Sequence, residues 1–295
     1  MIQVDSCVVC GGALSTQRPA KVTSFLAQRI WRRKPFPVKL SECSECGFMF
    51  FNPRLEASEE NALYTGYRGP EYQQMRYSFE PWYTEKFNAG LSTPESWQHR
   101  KKLLSDLFQN RLKLGGRSFV NVLDFGGDRG DLIASLVPAS RKFVYEISGV
   151  DLVEGVEPLR SLEECRQHHF DLIITSNVLE HVGSPCNLIE QIASLSGPDT
   201  LVFNEVPYES VADVRTRLKR IAQIGLLIAT RPASAWQTLG PGMLNLMHEH
   251  VNYFAPQSLN RLMQVSGFNV LDGGDYALSQ GFLGERMVWN LSQKK

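Results

Sequence analysis

The chain has 295 residues, and its 31 Lys and Arg balance its 31 Asp and Glu to a formal net charge of zero. That balance disfavours a protein that tracks nucleic acid along its phosphates, which needs a basic surplus or stripe. A hydrophobic content of 43%, with 10% aromatic residues, excludes a disordered chain and leaves room for one large domain or a domain with a small module.

No apolar run approaches the roughly 20 residues that span a bilayer, so no membrane partner is expected. The start, "MIQVDSCVVCGG", lacks the basic region and apolar core of a signal peptide, which predicts a cytoplasmic protein. In a reducing compartment, paired cysteines point to metal or redox chemistry rather than to disulfides.

Residues 1–55 carry two such pairs, Cys7 with Cys10 and Cys43 with Cys46. Two intervening residues let both thiolates of a pair reach one ion from a tight turn, and Gly11 and Gly47 follow where the turn needs positive φ. Together the pairs predict a closed four-thiolate site for structural zinc, with no open position for catalysis. Cys165 and Cys186 read as free thiols. "FMFFNPR" predicts an aromatic strand that packs this module on the main body. Residues 56–117 form a helical connector, with helical spacing in "SEENALYTGY" and "PESWQHRKKLLSDLFQNRLK". Its tyrosines include Tyr67 and Tyr72, which are candidates for contact with a polar substrate.

From 118 onward the pattern changes. "FVNVLDFGGDRGDL" reads as a buried strand, a glycine turn and a helix start, the device by which a doubly wound sheet lets its backbone approach a nucleotide. It is not the dinucleotide fingerprint, because Asp128 stands where a pyrophosphate would be repelled. "KFVYEISGV" (142–150) predicts the second strand, with Glu146 placed to accept ribose hydroxyls ahead of its rival Asp151. "FDLIITSNVLEHV" and "TLVFNEVP" predict further strands, and residues 268–278 and 284–291 a terminal hairpin. The stretch between Glu146 and Phe170 is short for a full helix and strand.

The run Asp124-Phe-Gly126-Gly127-Asp128-Arg-Gly130 resembles the first motif of the class I S-adenosylmethionine-dependent methyltransferases, with Asp128 in place of its middle glycine. Order, spacing and the final hairpin resemble that class over 118–295. The resemblance implies an α/β, Rossmann-like sheet that holds S-adenosylmethionine through Asp124, Gly126, Gly127, Gly130, Glu146 and Asn177. The cysteine pairs, "NPR" and the tyrosine-rich stretch make the whole chain similar to a zinc-containing group that includes sugar C-methyltransferases. Members of that group carry a further C-terminal domain after the hairpin, where this sequence stops at Lys295.

Methyl transfer from a sulfonium needs an aligned nucleophile and a base. His181, in the loop after the third buried strand, is one candidate. The triplet His248-Glu249-His250 is the other. Its spacing fails the HExxH metalloprotease pattern. A metal held by both histidines and a remote carboxylate, or a purely structural turn, remain open. The resemblance implies that Glu249 and His250 form a proton-handling pair in which the carboxylate orients the imidazole. Between the fifth strand and this triplet, residues 208–247 form an insertion with one long helix, a candidate lid or a partner-binding helix.

The expected protein is thus a methyltransferase acting on a small polar acceptor such as a nucleotide-linked sugar. A non-catalytic scaffold that keeps the fold, or a methyltransferase acting on RNA or protein, are the competing readings. Oligomeric state is not legible.

Overall fold

The computed structural model describes residues 1–90, 94–209, 214–278 and 285–295. The expected starts of the insertion helix at Val211 and of the last strand at Gly284 lie outside these residues. Among the described residues the strands form two sheets.

The smaller sheet contains β1 (Leu14–Val22), β2 (Pro37–Cys43) and β3 (Met49–Asn52), joined antiparallel. The larger contains β4 (Phe119–Phe125), β5 (Ala139–Tyr145), β6 (Glu157–Leu159), β7 (Leu172–Ser176) and β8 (Leu201–Pro207), all parallel. Strands β9 (Leu246–Met247) and β10 (Asn252–Tyr253) return to the small sheet, and β11 (Phe268–Ala277) and β12 (Arg286–Lys294) complete the large one.

The large sheet runs β11-β12-β8-β7-β4-β5-β6. Its central strands β7 and β8 are almost wholly buried, as strands covered on both faces must be, so their sequences are nearly continuous apolar runs. The terminal hairpin enters antiparallel, with β12 inserted between β8 and β11. The chain reverses direction across the sheet between β4 and β7, and the crevice at such a switch point is where doubly wound sheets bind ligands.

Two crossovers are trimmed. Only Ile133–Leu136 is helical between β4 and β5, and turns alone join β5 to β6. The short first crossover explains why β5 begins at Ala139 and ends at Tyr145 rather than covering 142–150, and Ile147 is already 70% exposed. No described helix is long and apolar enough to cross a membrane.

The small sheet has the order β10-β3-β2-β1-β9, so residues 246–253 pair with both of its edges. Four strand spacings amount to about 19 Å in a flat sheet. The four residues between Met247 and Asn252 reach at most about 18 Å. The sheet is therefore curled, and the His-Glu-His triplet crosses its open side.

Arg54 fastens this sheet to the large one. Its guanidinium is buried and donates to the carbonyls of Gly183 (2.9 Å), Phe51 (3.0 Å), Val182 (3.1 Å) and Val251 (3.2 Å), and to the Asn252 amide oxygen. Truncation would leave several buried acceptors without donors, each worth about 1–3 kcal/mol. Arg54→Ala is expected to lower unfolding free energy by about 3–5 kcal/mol in urea titration. A loss within about 0.5 kcal/mol, the range of an ordinary surface substitution, would show that water replaces the guanidinium.

Candidate active site

The glycine loop follows β4 directly. Gly126 has φ +78°, and a Cβ there would come within 2.6 Å of Val178 on the neighbouring loop. At Gly127 a Cβ would collide with the Asp124 carboxylate. Asp128 adopts φ +50°, a left-handed conformation that aspartate tolerates better than most residues. Its N–H donates to Glu146 (3.1 Å), and its carboxylate lies 4.0 Å from Arg68 of the connector. The departure from the glycine motif is thus accommodated locally.

Glu146 stands one residue past β5, half-buried against the loop, and also accepts from the Ser148 N–H (2.8 Å). Asp151 is exposed.

Several buried acceptors near the ends of adjacent strands have no donor. Both Asp124 oxygens (β4), and Asn177 Oδ1 and both Glu180 oxygens (after β7), are in this state, whereas Glu205 (β8) is paired with Arg100 at 2.6 Å. Burial pushes the Asp124 carboxyl up to about 7, against the pull of Arg100. A row of orphaned acceptors beside a glycine loop suits a ligand rich in donors, as the amino group and ribose hydroxyls of S-adenosylmethionine would be. The residues present fit that group.

His181 and His250 come together here, their rings 4.8 Å apart and edge to face. His181 Nδ1 lies 3.2 Å from the Glu249 carbonyl and 2.9 Å from the Tyr64 hydroxyl, and Nε2 lies 3.7 Å from Glu180. Burial, then the charge of His250, holds His181 well below its usual range, so it is neutral. His250 behaves oppositely. Burial opposes its charge, but the Glu209 carboxylate, hydrogen-bonded to Nδ1 at 2.9 Å, outweighs this and lifts it to about 9. Burial also raises Glu180 to about 7, partly offset by His250.

The expected pairing of Glu249 with His250 is not what the structure builds. A bend at Glu249 sends the two side chains to different partners. Glu249 lies 2.9 Å from Arg76 Nη1 and accepts from the Tyr72 hydroxyl, whereas His250 meets Glu209. His248 joins the first group. Its Nε2 lies 2.7 Å from Glu80, which Arg76 also holds at 2.9 Å, so all three triplet residues have polar roles, two of them internal. Tyr72, expected at a substrate, is 1% exposed and spent on Glu249. Tyr67 is half-buried between Tyr64 and Tyr72.

The four cysteines also converge. Cys7 and Cys46 Sγ are 3.8 Å apart, and Cys10 Sγ is 3.5 Å from both Cys43 and Cys46. Four sulfurs at ~2.3 Å from a tetrahedral zinc stand about 3.8 Å apart, so the donor set fits that ion. The N–H groups of Val9 and Glu45 point at Cys7 and Cys43 sulfur at 3.4 Å each, as expected for thiolates.

Glu180, Glu205 and Glu209 escaped the sequence reading. Glu180 sits in the motif beside His181, so its position was available, but an acidic residue there carries no signal without knowledge that it is buried.

Numbered within the large sheet, the strands run 3-2-1-4-5-7-6 with only the seventh reversed, and the glycine loop leaves strand 1. That is the frame of the class I S-adenosylmethionine-dependent methyltransferases. A family model described as a methyltransferase domain matches residues 96–272, and the chain belongs to that family. No curated protein sequence matches it. Among solved structures it is similar to the Burkholderia thailandensis 1,6-didemethyltoxoflavin-N1-methyltransferase, at 14% identity and a TM-score of 0.47 over 88% of this chain and 96% of that one. It is also similar to the magnesium protoporphyrin IX methyltransferase of Synechocystis, at 14% identity and a TM-score of 0.41 over 66% and 84%.

Proposed function

We propose that this methyltransferase acts on a small, oxygen-rich acceptor of the kind a nucleotide-linked keto-sugar represents, and that the pair His181 and His250 performs its proton chemistry. The observation that carries this reading is the opposite charge preference of two imidazoles 4.8 Å apart at the switch point of the sheet. Titratable neighbours whose environments push them apart mark acid and base roles.

Asp124, Gly126, Gly127, Gly130, Glu146 and Asn177 form the cofactor cradle. S-adenosylmethionine supplies an electrophilic methyl on a sulfonium. With Nδ1–H donated to the Glu249 carbonyl, His181 keeps a lone pair on Nε2 and takes the acceptor's proton there. Glu180, 3.7 Å away, stabilises the imidazolium that forms. His250, held cationic by Glu209, faces negative charge that develops on an acceptor oxygen. Glu249, with Tyr72 and Arg76, fixes the backbone between the histidines. Tyr64 and Tyr67 border the acceptor side. Cys7, Cys10, Cys43 and Cys46 hold a structural zinc away from this chemistry.

Calorimetry with S-adenosylhomocysteine tests the reading. Saturable micromolar binding is expected, weakened about tenfold or more by Glu146→Ala, the loss of a charged hydrogen-bond acceptor. No binding at millimolar ligand would refute the cofactor assignment.

A further inference from the structure

The helix Val214–Thr230 buries Ile224 and Leu227 against the body and turns a second apolar face to solvent. Leu218 is 50% exposed, Ile221 55%, Leu226 43% and Ile228 49%. Ala222, Gly225 and Ala229 are exposed between them, one turn apart, so the outer face is continuous. Trp236, on the following helix Pro232–Thr238, is 81% exposed. An apolar face of this extent, with an indole standing in water, marks a contact surface.

Its charge says with what. The chain as a whole is neutral, yet residues 214–248 contain Arg215, Arg217, Lys219, Arg220 and Arg231 with no Asp or Glu. Arg217 and Lys219 are exposed beside the apolar face. A second copy of the chain would set the exposed Arg217 and Lys219 against the same basic flanks, while the nearby Glu209 is already paired with His250. Basic residues flanking an apolar helical face, with a tryptophan nearby, are the composition of a helix that lies in the interface of an anionic bilayer.

We propose that this helix and Trp236 dock on an anionic lipid surface. Attachment is peripheral, since no described helix spans a membrane. A chain with no apolar run long enough to span a bilayer can still attach to its surface through such a helix. Glu209, which holds His250, lies just ahead of the helix, so docking brings the acceptor site to the lipid surface.

The test is sedimentation of the full chain with vesicles of phosphatidylcholine alone or mixed equally with phosphatidylglycerol. Binding to the mixed vesicles is expected to be about tenfold stronger or more, and to fall as salt is added. Tryptophan emission should shift to the blue on binding, and the shift should shrink in Trp236→Phe. The double variant Arg217→Glu with Lys219→Glu should bind about tenfold or more weakly, with its thermal midpoint as the folding control. Absence of binding to mixed vesicles at low salt overturns the proposal, as does unchanged binding by the folded double variant. A stable dimer in light scattering that Ile221→Glu dissociates overturns it too, assigning the face to a second copy.

Discussion

His250→Asn is expected to lower turnover by about 10²–10³-fold while leaving affinity for S-adenosylhomocysteine within about twofold. The asparagine retains bulk and a donor but cannot carry charge. The pH profile separates the two roles an imidazole could fill. His250 is protonated up to about 9 because Glu209 holds it there, so a reaction that needs its charge has a falling limb above 9, separate from the rise near 7 as Glu180 ionises. If His250 were instead the base, the rate would climb toward 9. Glu209→Gln removes the carboxylate, so the falling limb should move to lower pH. His181→Asn should cost about 10²–10⁴-fold, as loss of a general base does, and keep the limb near 9. A rising alkaline profile in the wild type would exchange the two assignments. The same pairing contributes to stability. His250 starts from about 6.5 when unfolded, so its contribution is full below that pH and is lost as pH rises through about 9.

The second large effect concerns the cysteines. Cys43→Ser should lower zinc content toward zero and the melting temperature by more than about 10 °C. Metal binding free energy becomes folding free energy wherever the unfolded chain has no site. Here the loss spreads, because Cys7, Cys43, Cys46 and Phe48 of the module are buried in the same core as Phe254 and Leu259 of the main body. Phe48 and Phe254 rings are 4.7 Å apart across that boundary. A chelator should reproduce the melting shift in the wild type. Were both the chelator and the serine variant to leave the melt unmoved, four reduced thiols would be structure enough without metal.

Features that depend on local pattern were legible in the chain. The glycine turn is readable because only small or left-handed-tolerant residues fit between β4 and its loop. The cysteine pairs are readable because two intervening residues set a bite. The terminal hairpin shows as two β-rich runs around a short gap. Features that depend on distant partners were not. His250 finds Glu209 41 positions away, across the insertion, rather than its neighbour Glu249. His248 likewise finds its partners, Glu80 and Arg76, far off in the connector. Strands β9 and β10 are two residues each, too short to show any alternation. The isolation of Glu180 from donors is invisible until the surrounding elements are in place.

The curl of the small sheet bears on how this protein can be taken apart. Residues 246–253 cover both of its outer strands, yet they are encoded near the other end of the chain. An N-terminal segment transplanted onto another methyltransferase would carry β1 and β3 with bare hydrogen-bonding rims, each a template for association with foreign strands. A graft therefore has to include the histidine-bearing clasp together with the cysteine module, and exchange of one without the other is expected to yield aggregates rather than a chimaeric enzyme.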